Sequence, residues 1–285
     1  MDSSVDVSAE AEALISHLAD RCSRGEPLGS MSASIYCTAW VSMIQKPTDG
    51  GRSWLFPQAF QYVLDKQSLK GSWGHGSLGT NDVDIILNTM AALLSVLKHR
   101  NEAKLRGYDL EIADLDGRIK SGTACLKQKL EHWDVARTEH VAFEILIPTH
   151  LSLLHLEGVE FQFTGLKKLT ELNTLKMAKF MPEFLYGTPK TTMIHSMEAF
   201  VGKIDFDRLK HRLEEGSMMY LPSSTAAYLM NVSAWDDEAE AYLRMVLDKS
   251  EVSGSGGFPA AYPSEVFEIG WVSNHIFSTQ PQLTQ

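Results

Sequence analysis

Apolar residues recur every three to four positions along almost the whole chain, and this period constrains the fold more than any other feature of the sequence. The longest example is DVDIILNTMAALLSVLKH, residues 82–99. Such spacing places the apolar side chains on one face of an α-helix. Few segments alternate apolar and polar residues, as half-buried strands do. The sequence therefore predicts an all-α protein.

Start and stop signals divide the chain into helices. The first helix carries an apolar stripe over 11–22 and is predicted to end at Gly25. The second is predicted to be capped by Ser32 or Ser34 and stopped by Pro47. Further helices are predicted at 118–133, 140–157, 166–180, 205–215, 224–232, 236–249 and 263–271.

Three further signals refine these boundaries. Asp82 is expected to cap the long helix, and the basic run 98–100 is expected to lie at the negative end of its dipole. Pro148 should break or kink the helix at 140–157. The glycine-rich stretch KGSWGHGS predicts a turn that holds Trp73.

The stretch GTPKTTMIHSMEAF, residues 187–200, has the pattern of another helix. Pro189 and the threonines after it suit a turn and a helix start. The apolar stripe that ends at Phe200 should face the core. His195 and Glu198 are three positions apart, so they are expected to be neighbours on the same helix. These residues alone fit either a surface helix with a structural histidine or part of a functional site.

A loose repeat joins the helices. A glycine turn and an aromatic residue precede a capped helix at GSWG (71–74), GSMMYLPSST (216–225) and GGFPAAYPS (256–264). Repeated helix pairs bury their apolar faces against neighbouring pairs. The repeat therefore favours an α/α toroid.

Charge and cysteine content restrict the function and the compartment. The formal net charge of −10 argues against a general nucleic-acid binder, because no basic excess is present to neutralise phosphates. No apolar run approaches the roughly 20 residues that span a bilayer, and the acidic start MDSSVDVSAEAE lacks the features of a signal peptide. Cys22, Cys37 and Cys125 lack metal-ligand spacing and suit a reducing compartment. A cytoplasmic protein is expected.

Seven sequence blocks in one order resemble a known family. Together they resemble the N-terminal part of class II diterpene cyclases of the copalyl diphosphate synthase type. The residues within the blocks are most similar to those of fungal bifunctional diterpene synthases. The resemblance covers roughly residues 8–272. The blocks are SASIYCTAWVSMI (32–44), GSWG (71–74), DIILNTMAALLSVL (84–97), FEILIPTHLSLL (143–154), TPKTTMIHSMEAF (188–200), LPSSTAAYLM (221–230) and GGFPAAYPSEVFE (256–268).

The resemblance implies an α-barrel, the γ domain, inserted after the first helix of a β domain. It assigns residues 1–29 to a tail and the first β-domain helix, 30–260 to the γ domain and 261–285 to the start of an incomplete β domain. The implied substrate is geranylgeranyl diphosphate. The implied active site lies between the β and γ domains, where a carboxylic acid protonates the terminal alkene and starts cyclisation.

The resemblance also implies site residues. Glu144, in AFEILIP, matches a glutamate linked to Mg²⁺ and diphosphate binding, so Mg²⁺ is the implied cofactor. Lys176, in TLKMAKFMP, matches a lysine that contacts the diphosphate, and Lys179 is the alternative in another register. His195 matches a histidine that helps to hold the water acting as terminal base in some plant enzymes. Imidazole suits that task because it orients water and accepts a proton near neutral pH.

The chain departs from the family pattern at three places. The usual asparagine partner of the histidine would fall at Ala260, which has no group to donate or accept a proton. Cys37 stands where aspartate is common, and we interpret it as a packing residue rather than a nucleophile. The catalytic Asp-x-Asp-Asp tetrad, which the family places downstream of the matched region, does not occur in these 285 residues.

An acidic run needs a separate interpretation. Residues 236–240, Asp-Asp-Glu-Ala-Glu, match the Asp-Asp-x-x-Glu outline of class I terpene synthase metal sites. The run also opens a predicted helix, where acidic residues favour the positive end of the dipole. We therefore predict a helix cap. His75, His99, His150 and His155 show no ligand cluster and are expected to be structural.

These observations lead to one function and two alternatives. The chain is expected to be a truncated γ-domain part of a class II diterpene synthase that lacks the catalytic acid and has no cyclase activity alone. The first alternative is a non-catalytic partner or pseudoenzyme that associates with a chain supplying the missing β domain. The second is the toroidal domain of another terpenoid family, such as a squalene-cyclase relative, which predicts several Gln-Trp-type repeats; only GSWG comes close.

Overall fold

Helices dominate the structure, as the spacing of apolar residues predicts. The computed structural model describes residues 7–24, 31–74, 82–107, 109–189, 191–250, 252, 254–264, 267–268 and 270–271. Its α-helices are α1 (Val7–Ser23), α2 (Ile35–Ser42), α3 (Pro57–Asp65), α4 (Asp82–Arg106), α5 (Asp109–His132), α6 (Phe143–Leu156), α7 (Leu166–Met177), α8 (Glu183–Tyr186), α9 (Pro222–Asn231) and α10 (Asp237–Lys249). Three 3₁₀ segments cover Val135–Arg137, Thr192–Phe200 and Phe206–Arg212. The all-α class is confirmed.

Five elements close an inner ring. Helix α2 contacts α4, α4 contacts α6, and α6 contacts the 3₁₀ segment Thr192–Phe200. That segment contacts α9, and α9 returns to α2. Helices α3, α5, α7 and α10 pack against members of this ring. The arrangement is an α/α-barrel, so the predicted toroid is confirmed.

The inner helices are buried on nearly all sides. In α2, all residues from 37 to 42 are buried, and in α9 all residues from 222 to 229 are buried. A helix without a polar face must lie inside the fold, because any exposed side would leave apolar surface in water. The absence of an amphipathic pattern in these two short helices therefore follows from their place in the ring.

A short sheet joins a segment near the start of the barrel's sequence to one near its end. Strand β1 (Ala33–Ser34) pairs antiparallel with β4 (Phe258–Pro259). The Phe258 N–H also donates to Thr38 Oγ1 at 2.8 Å. Segments that are about 220 residues apart in sequence are thus held together by main-chain and side-chain hydrogen bonds. The boundaries of the β and γ domains stay a prediction.

A β-hairpin replaces the predicted end of the second helix. Ser34 caps α2 as predicted, and its hydroxyl accepts from the Cys37 N–H. The helix ends at Ser42, so the prediction that Pro47 stops it is wrong. Pro47 lies in β2 (Gln45–Thr48), which pairs with β3 (Gly51–Trp54). The hairpin is mostly exposed and lacks apolar alternation, so the sequence gives no strand signal there.

The predicted helix at 187–200 is wrong in type and length. The segment Thr192–Phe200 is 3₁₀ and is interrupted at Ser196, where φ is −139° and ψ is 45°. The Met197 N–H donates to Ser224 Oγ at 3.3 Å, a partner on α9, instead of to its own helix. The segment at 205–215 is likewise a shorter 3₁₀ turn, Phe206–Arg212.

Two other helix boundaries and one expected break differ from the prediction. Helix α4 continues to Arg106, so residues 98–100 lie inside it and not at its end. Helix α5 begins at Asp109 and not at 118. Helix α6 passes through Pro148 without a break. Although α4 has 25 residues, none of the described helices has both the length and the hydropathy that crossing a membrane requires.

The GSWG turn places a tryptophan in the core. Trp73 is fully buried, and its Nε1–H donates to Val63 O at 2.7 Å. Gly122 on α5 makes room for the ring, because a Cβ there would lie 2.8 Å from Trp73 Cζ3. The predictions at Gly25 and His75, the side chain of Asp82, parts of the helix at 263–271 and the final residues lie outside the described residues.

Candidate functional site: a cleft between α6, α7 and the 3₁₀ segment

A cleft of about 710 Å³ opens between the start of α6, the end of α7 and the segment Thr192–Phe200. We call it the α6–α7 cleft. Its polar lining includes Lys176, Lys179 and His195. Its volume falls within the roughly 300–1,000 Å³ that is typical of small-molecule pockets. Candidate residues from two separate parts of the sequence, 176–179 and 195, thus lie in one cavity.

Glu144 joins this group through an ion pair. Lys176 Nζ lies 3.1 Å from Glu144 Oε1. Glu144 belongs to the first turn of α6, where the helix dipole favours a carboxylate. The Asn173 Nδ2 donates to Glu144 O at 2.7 Å and ties α7 to the start of α6. Glu144 does not itself line the cleft, so it is connected to the cleft through Lys176.

His195 lies at the cleft because of the break at Ser196. Before the break, His195 is exposed and lines the cleft. After it, Glu198 is 1% exposed and lies in the core. The Ser224 hydroxyl donates to Glu198 Oε2 at 2.9 Å. The expectation that His195 and Glu198 are neighbours on one helix face is wrong, since the break directs them to different environments.

The rest of the cleft is apolar and aromatic. The rings of Phe180 and Phe200 stack with centroids 4.6 Å apart. Phe184, Ile145 and Met193 complete much of the lining. The cleft thus combines a basic rim with an apolar surface, which suits a ligand that has an anionic head and a hydrocarbon body.

Phe180 and Phe184 were not identified from the sequence as residues of a site. Phe180 and Phe184 are four positions apart, which normally indicates one helix face. In the structure α7 ends at Met177 and α8 begins at Glu183, so Phe180 lies in the connection between the two helices and Phe184 lies on α8. Their spacing therefore carried no usable signal for a cleft.

The two core histidines are structural, as predicted. His150 Nε2 accepts from Trp40 Nε1–H at 3.2 Å, and His150 Nδ1–H donates to Leu146 O at 2.8 Å. Burial lowers the pKa of His150 to about 4. His99 is stacked between Trp54 and Phe60, with centroid distances of 3.7 and 3.5 Å. Burial also lowers the pKa of His99 to about 4.

The acidic run at 236–240 is a helix cap, as predicted. Asp236 Oδ1 accepts from the N–H groups of Glu238 and Ala239 at the start of α10. Asp236 Oδ2 accepts from the Tyr228 hydroxyl at 3.0 Å. Within the described residues, no group of three or more His, Cys, Asp or Glu side chains is placed to hold a metal.

The two substituted positions of the family pattern lie close together. Cys37 is buried, and its Sγ lies 3.8 Å from Ala260 O. Burial raises the pKa of the Cys37 thiol, which fits a packing role. The described residues that line the α6–α7 cleft do not include Ala260.

Solved structures define the class of fold. The fold is similar to that of abietadiene synthase from Abies grandis, with a TM-score of 0.71, 23% identity and coverage of 97% of this chain and 37% of that one. It is also similar to ent-copalyl diphosphate synthase from Arabidopsis thaliana, with a TM-score of 0.69, 23% identity and coverage of 97% and 40%. The fold is therefore that of terpene cyclases. No family model matches the chain.

Closer relatives are found among fungal proteins. The chain is 46% identical over 280 residues to pimaradiene synthase of Emericella nidulans, covering 98% of this chain and 28% of that protein. It is 48% identical over 264 residues to phyllocladan-16-alpha-ol synthase of Phomopsis amygdali, covering 92% and 26%. It is 43% identical over 270 residues to copalyl diphosphate synthase of Talaromyces verruculosus, covering 94% and 28%.

These comparisons confirm the resemblance that the sequence blocks indicate. The homologues of this chain are diterpene synthases, and its structural neighbours are class II diterpene cyclases. The chain spans about 28% of the length of the pimaradiene synthase that it matches over nearly its whole length.

Proposed function

We propose that the chain is the γ-domain part of a class II diterpene synthase that acts on geranylgeranyl diphosphate. The observation that carries the proposal is the α6–α7 cleft, which combines Lys176, Lys179 and His195 with an apolar, aromatic lining. A prenyl diphosphate needs both parts of this cleft. The cations attract its head, and the apolar surface removes its hydrocarbon chain from water.

The roles of the polar residues follow from their charge and position. Lys176 and Lys179 supply the positive charge that a diphosphate needs. Glu144 holds Lys176 in place through the 3.1 Å ion pair and offsets part of its charge while no diphosphate is bound. His195 is exposed to the cleft and orients water there, as the family role suggests.

Magnesium fits this cleft only together with a diphosphate. Glu144 is the one carboxylate that the described residues bring to Lys176, and Mg²⁺ is commonly bound by one or two carboxylates together with substrate phosphates. Glu144 would then hold the ion through a carboxylate oxygen. The ion would neutralise phosphate charge in the bound state.

The chain is proposed to lack cyclase activity of its own. Protonation of an alkene needs a strong acid in a dry cavity, and the Asp-x-Asp-Asp tetrad that supplies it in the family does not occur in this sequence. The test is incubation with geranylgeranyl diphosphate and Mg²⁺, followed by phosphatase treatment and product analysis. We expect only geranylgeraniol, and a copalol-type product would contradict the proposal.

A second candidate is a non-catalytic partner of a chain that supplies a β domain. Its support is the stacked pair Phe267 and Trp271, whose rings are 6.0 Å apart and which are 61% and 59% exposed. Exposed aromatic pairs are typical of association surfaces. Light scattering and co-purification distinguish the two candidates, because a stable monomer that captures no β-domain chain would exclude the partner role.

A further inference from the structure

The 3₁₀ segment Phe206–Arg212 packs against the part of the chain that carries one residue of the cleft wall. This segment contacts α8 (Glu183–Tyr186). Phe184 of α8 is 51% exposed and lines the cleft. The position of its ring therefore depends on what holds the main chain of α8 and of the turn that follows it.

Arg212 makes the main connection. It is only 7% exposed, and its guanidinium donates three hydrogen bonds to main-chain carbonyl oxygens. Nη2–H donates to Phe184 O at 2.9 Å, Nε–H to Leu185 O at 2.8 Å and Nη1–H to Pro189 O at 2.8 Å. One side chain thus connects the two ends of the segment 184–189 and fixes its path.

Three more contacts join this stretch to the 3₁₀ segment and to Asp205, which caps it. The Asp205 N–H donates to the Tyr186 hydroxyl at 2.7 Å, and the guanidinium carbon of Arg208 lies 3.7 Å from the centre of the Tyr186 ring. His211 Nε2 lies 3.3 Å from Gly187 O. The Tyr186 side chain and the Gly187 carbonyl are thus held by residues next to Arg212, which adds to the anchoring of α8 and of the turn that follows it.

The geometry requires arginine. A guanidinium presents several N–H groups in one rigid plane, whereas a lysine ammonium is a single flexible point charge. A lysine at 212 keeps the positive charge but cannot reach carbonyls at both ends of the 184–189 turn in the same way. The carbonyl left without a donor would draw the turn towards water, because an unpaired buried polar group is costly.

We propose that Arg212 is a positioning residue for the cleft: it fixes the 184–189 turn so that Phe184 contacts the hydrocarbon part of a bound prenyl diphosphate. This role rests on the proposed function. The lysines of the cleft lie on or next to α7 and not on the turn. Arg212 should therefore control the affinity for the hydrocarbon chain and leave the affinity for the head group unchanged.

Calorimetry with two probes tests this division. Inorganic diphosphate reports the head-group site alone, and geranylgeranyl diphosphate reports the head group and the chain together. For Arg212→Lys we expect about tenfold weaker binding of geranylgeranyl diphosphate, and unchanged binding of inorganic diphosphate. Phe184→Ala should also weaken the binding of geranylgeranyl diphosphate alone, while the Arg212 hydrogen bonds stay in place. Lys176→Ala should weaken the binding of both probes.

Hydrogen exchange provides a second measurement. The amides of 184–189 should exchange faster in Arg212→Lys than in the wild type, and those of α7 should not change. If Arg212→Lys binds both probes equally more weakly, or binds both with wild-type affinity, the positioning role is overturned. Wild-type affinity for geranylgeranyl diphosphate in Phe184→Ala would also overturn it. If the wild-type chain binds neither probe, the proposed function itself fails.

Discussion

Acidification from pH 7 to pH 5 should destabilise the protein through two buried histidines. His99 and His150 are 6% and 0% exposed, and each donates a ring N–H to a main-chain carbonyl oxygen, of Ser42 and Leu146 respectively. Burial lowers the pKa of each to about 4. In the unfolded chain a histidine has a pKa of about 6.5. The unfolded state therefore takes up protons in a pH range where the folded state does not.

The size and sign of the effect follow from linkage. Each depressed pKa contributes stability that is fully present above about pH 6.5 and is lost as the pH falls towards 4. Between pH 7 and pH 5, each histidine should lose about 2 kcal/mol, so the pair loses about 4 kcal/mol. That loss is a large part of the roughly 5–15 kcal/mol that stabilises a typical domain.

Glu198 acts in the opposite direction. Burial raises the pKa of this carboxyl. The folded protein therefore binds a proton there at a higher pH than the unfolded protein does. Its contribution is present at low pH and is lost as the pH rises through the folded pKa. Replacing Glu198 with glutamine removes this opposing effect, so Glu198→Gln should lose more stability on acidification than the wild type.

Urea unfolding at pH 7, 6 and 5, followed by circular dichroism, measures these effects. His150→Gln should have a lower stability at pH 7 but about half the loss between pH 7 and pH 5. His155→Gln is the matched control, because His155 is exposed on the same helix and should change neither value. If the wild type and Glu198→Gln each have the same free energy of unfolding at pH 7 as at pH 5, the reasoning is refuted.

Three other substitutions test separate parts of the structure. Asp236→Ala should cost about 2 kcal/mol in urea unfolding by removing the cap of α10, whereas Asp236→Asn should keep most of that stability. Gly122→Ala should cost about 1–3 kcal/mol, since its Cβ would lie 2.8 Å from Trp73 Cζ3. Glu144→Gln should bind inorganic diphosphate about twofold more tightly without Mg²⁺, because the Lys176 ion pair is lost, and more weakly with Mg²⁺. Unchanged calorimetric affinities would contradict the last prediction.

The helical class was predictable because the pattern is local, whereas the barrel was predicted from the loose repeat and the family resemblance. In α4, side chains one or two turns apart share a buried face, and the sequence shows this directly. The glycine turn at Trp73 and the caps at Ser34 and Asp236 were also identified, since each depends on neighbouring residues.

Features that depend on distant partners were not predictable. The break at Ser196 exists where the Met197 N–H finds Ser224 on α9, and nothing in the local spacing indicates that contact. The three carbonyls bound by Arg212 are of the same kind, since they lie 23–28 residues earlier in the sequence. The hairpin was missed for a different reason, because its strands are close in sequence but lack apolar alternation. The candidate site came from the family resemblance and not from spacing, because Lys176 and His195 belong to different elements.

Calorimetric titration of geranylgeranyl diphosphate tests the central claim, that the α6–α7 cleft binds a prenyl diphosphate by its basic rim. The comparison is between the wild type, the double variant Lys176→Ala/Lys179→Ala and the control Lys168→Ala. Lys168 is an exposed residue of α7 that lies next to Glu171. We expect the double variant to bind at least about tenfold more weakly and the control to bind like the wild type. Equal affinity of all three proteins would contradict the claim.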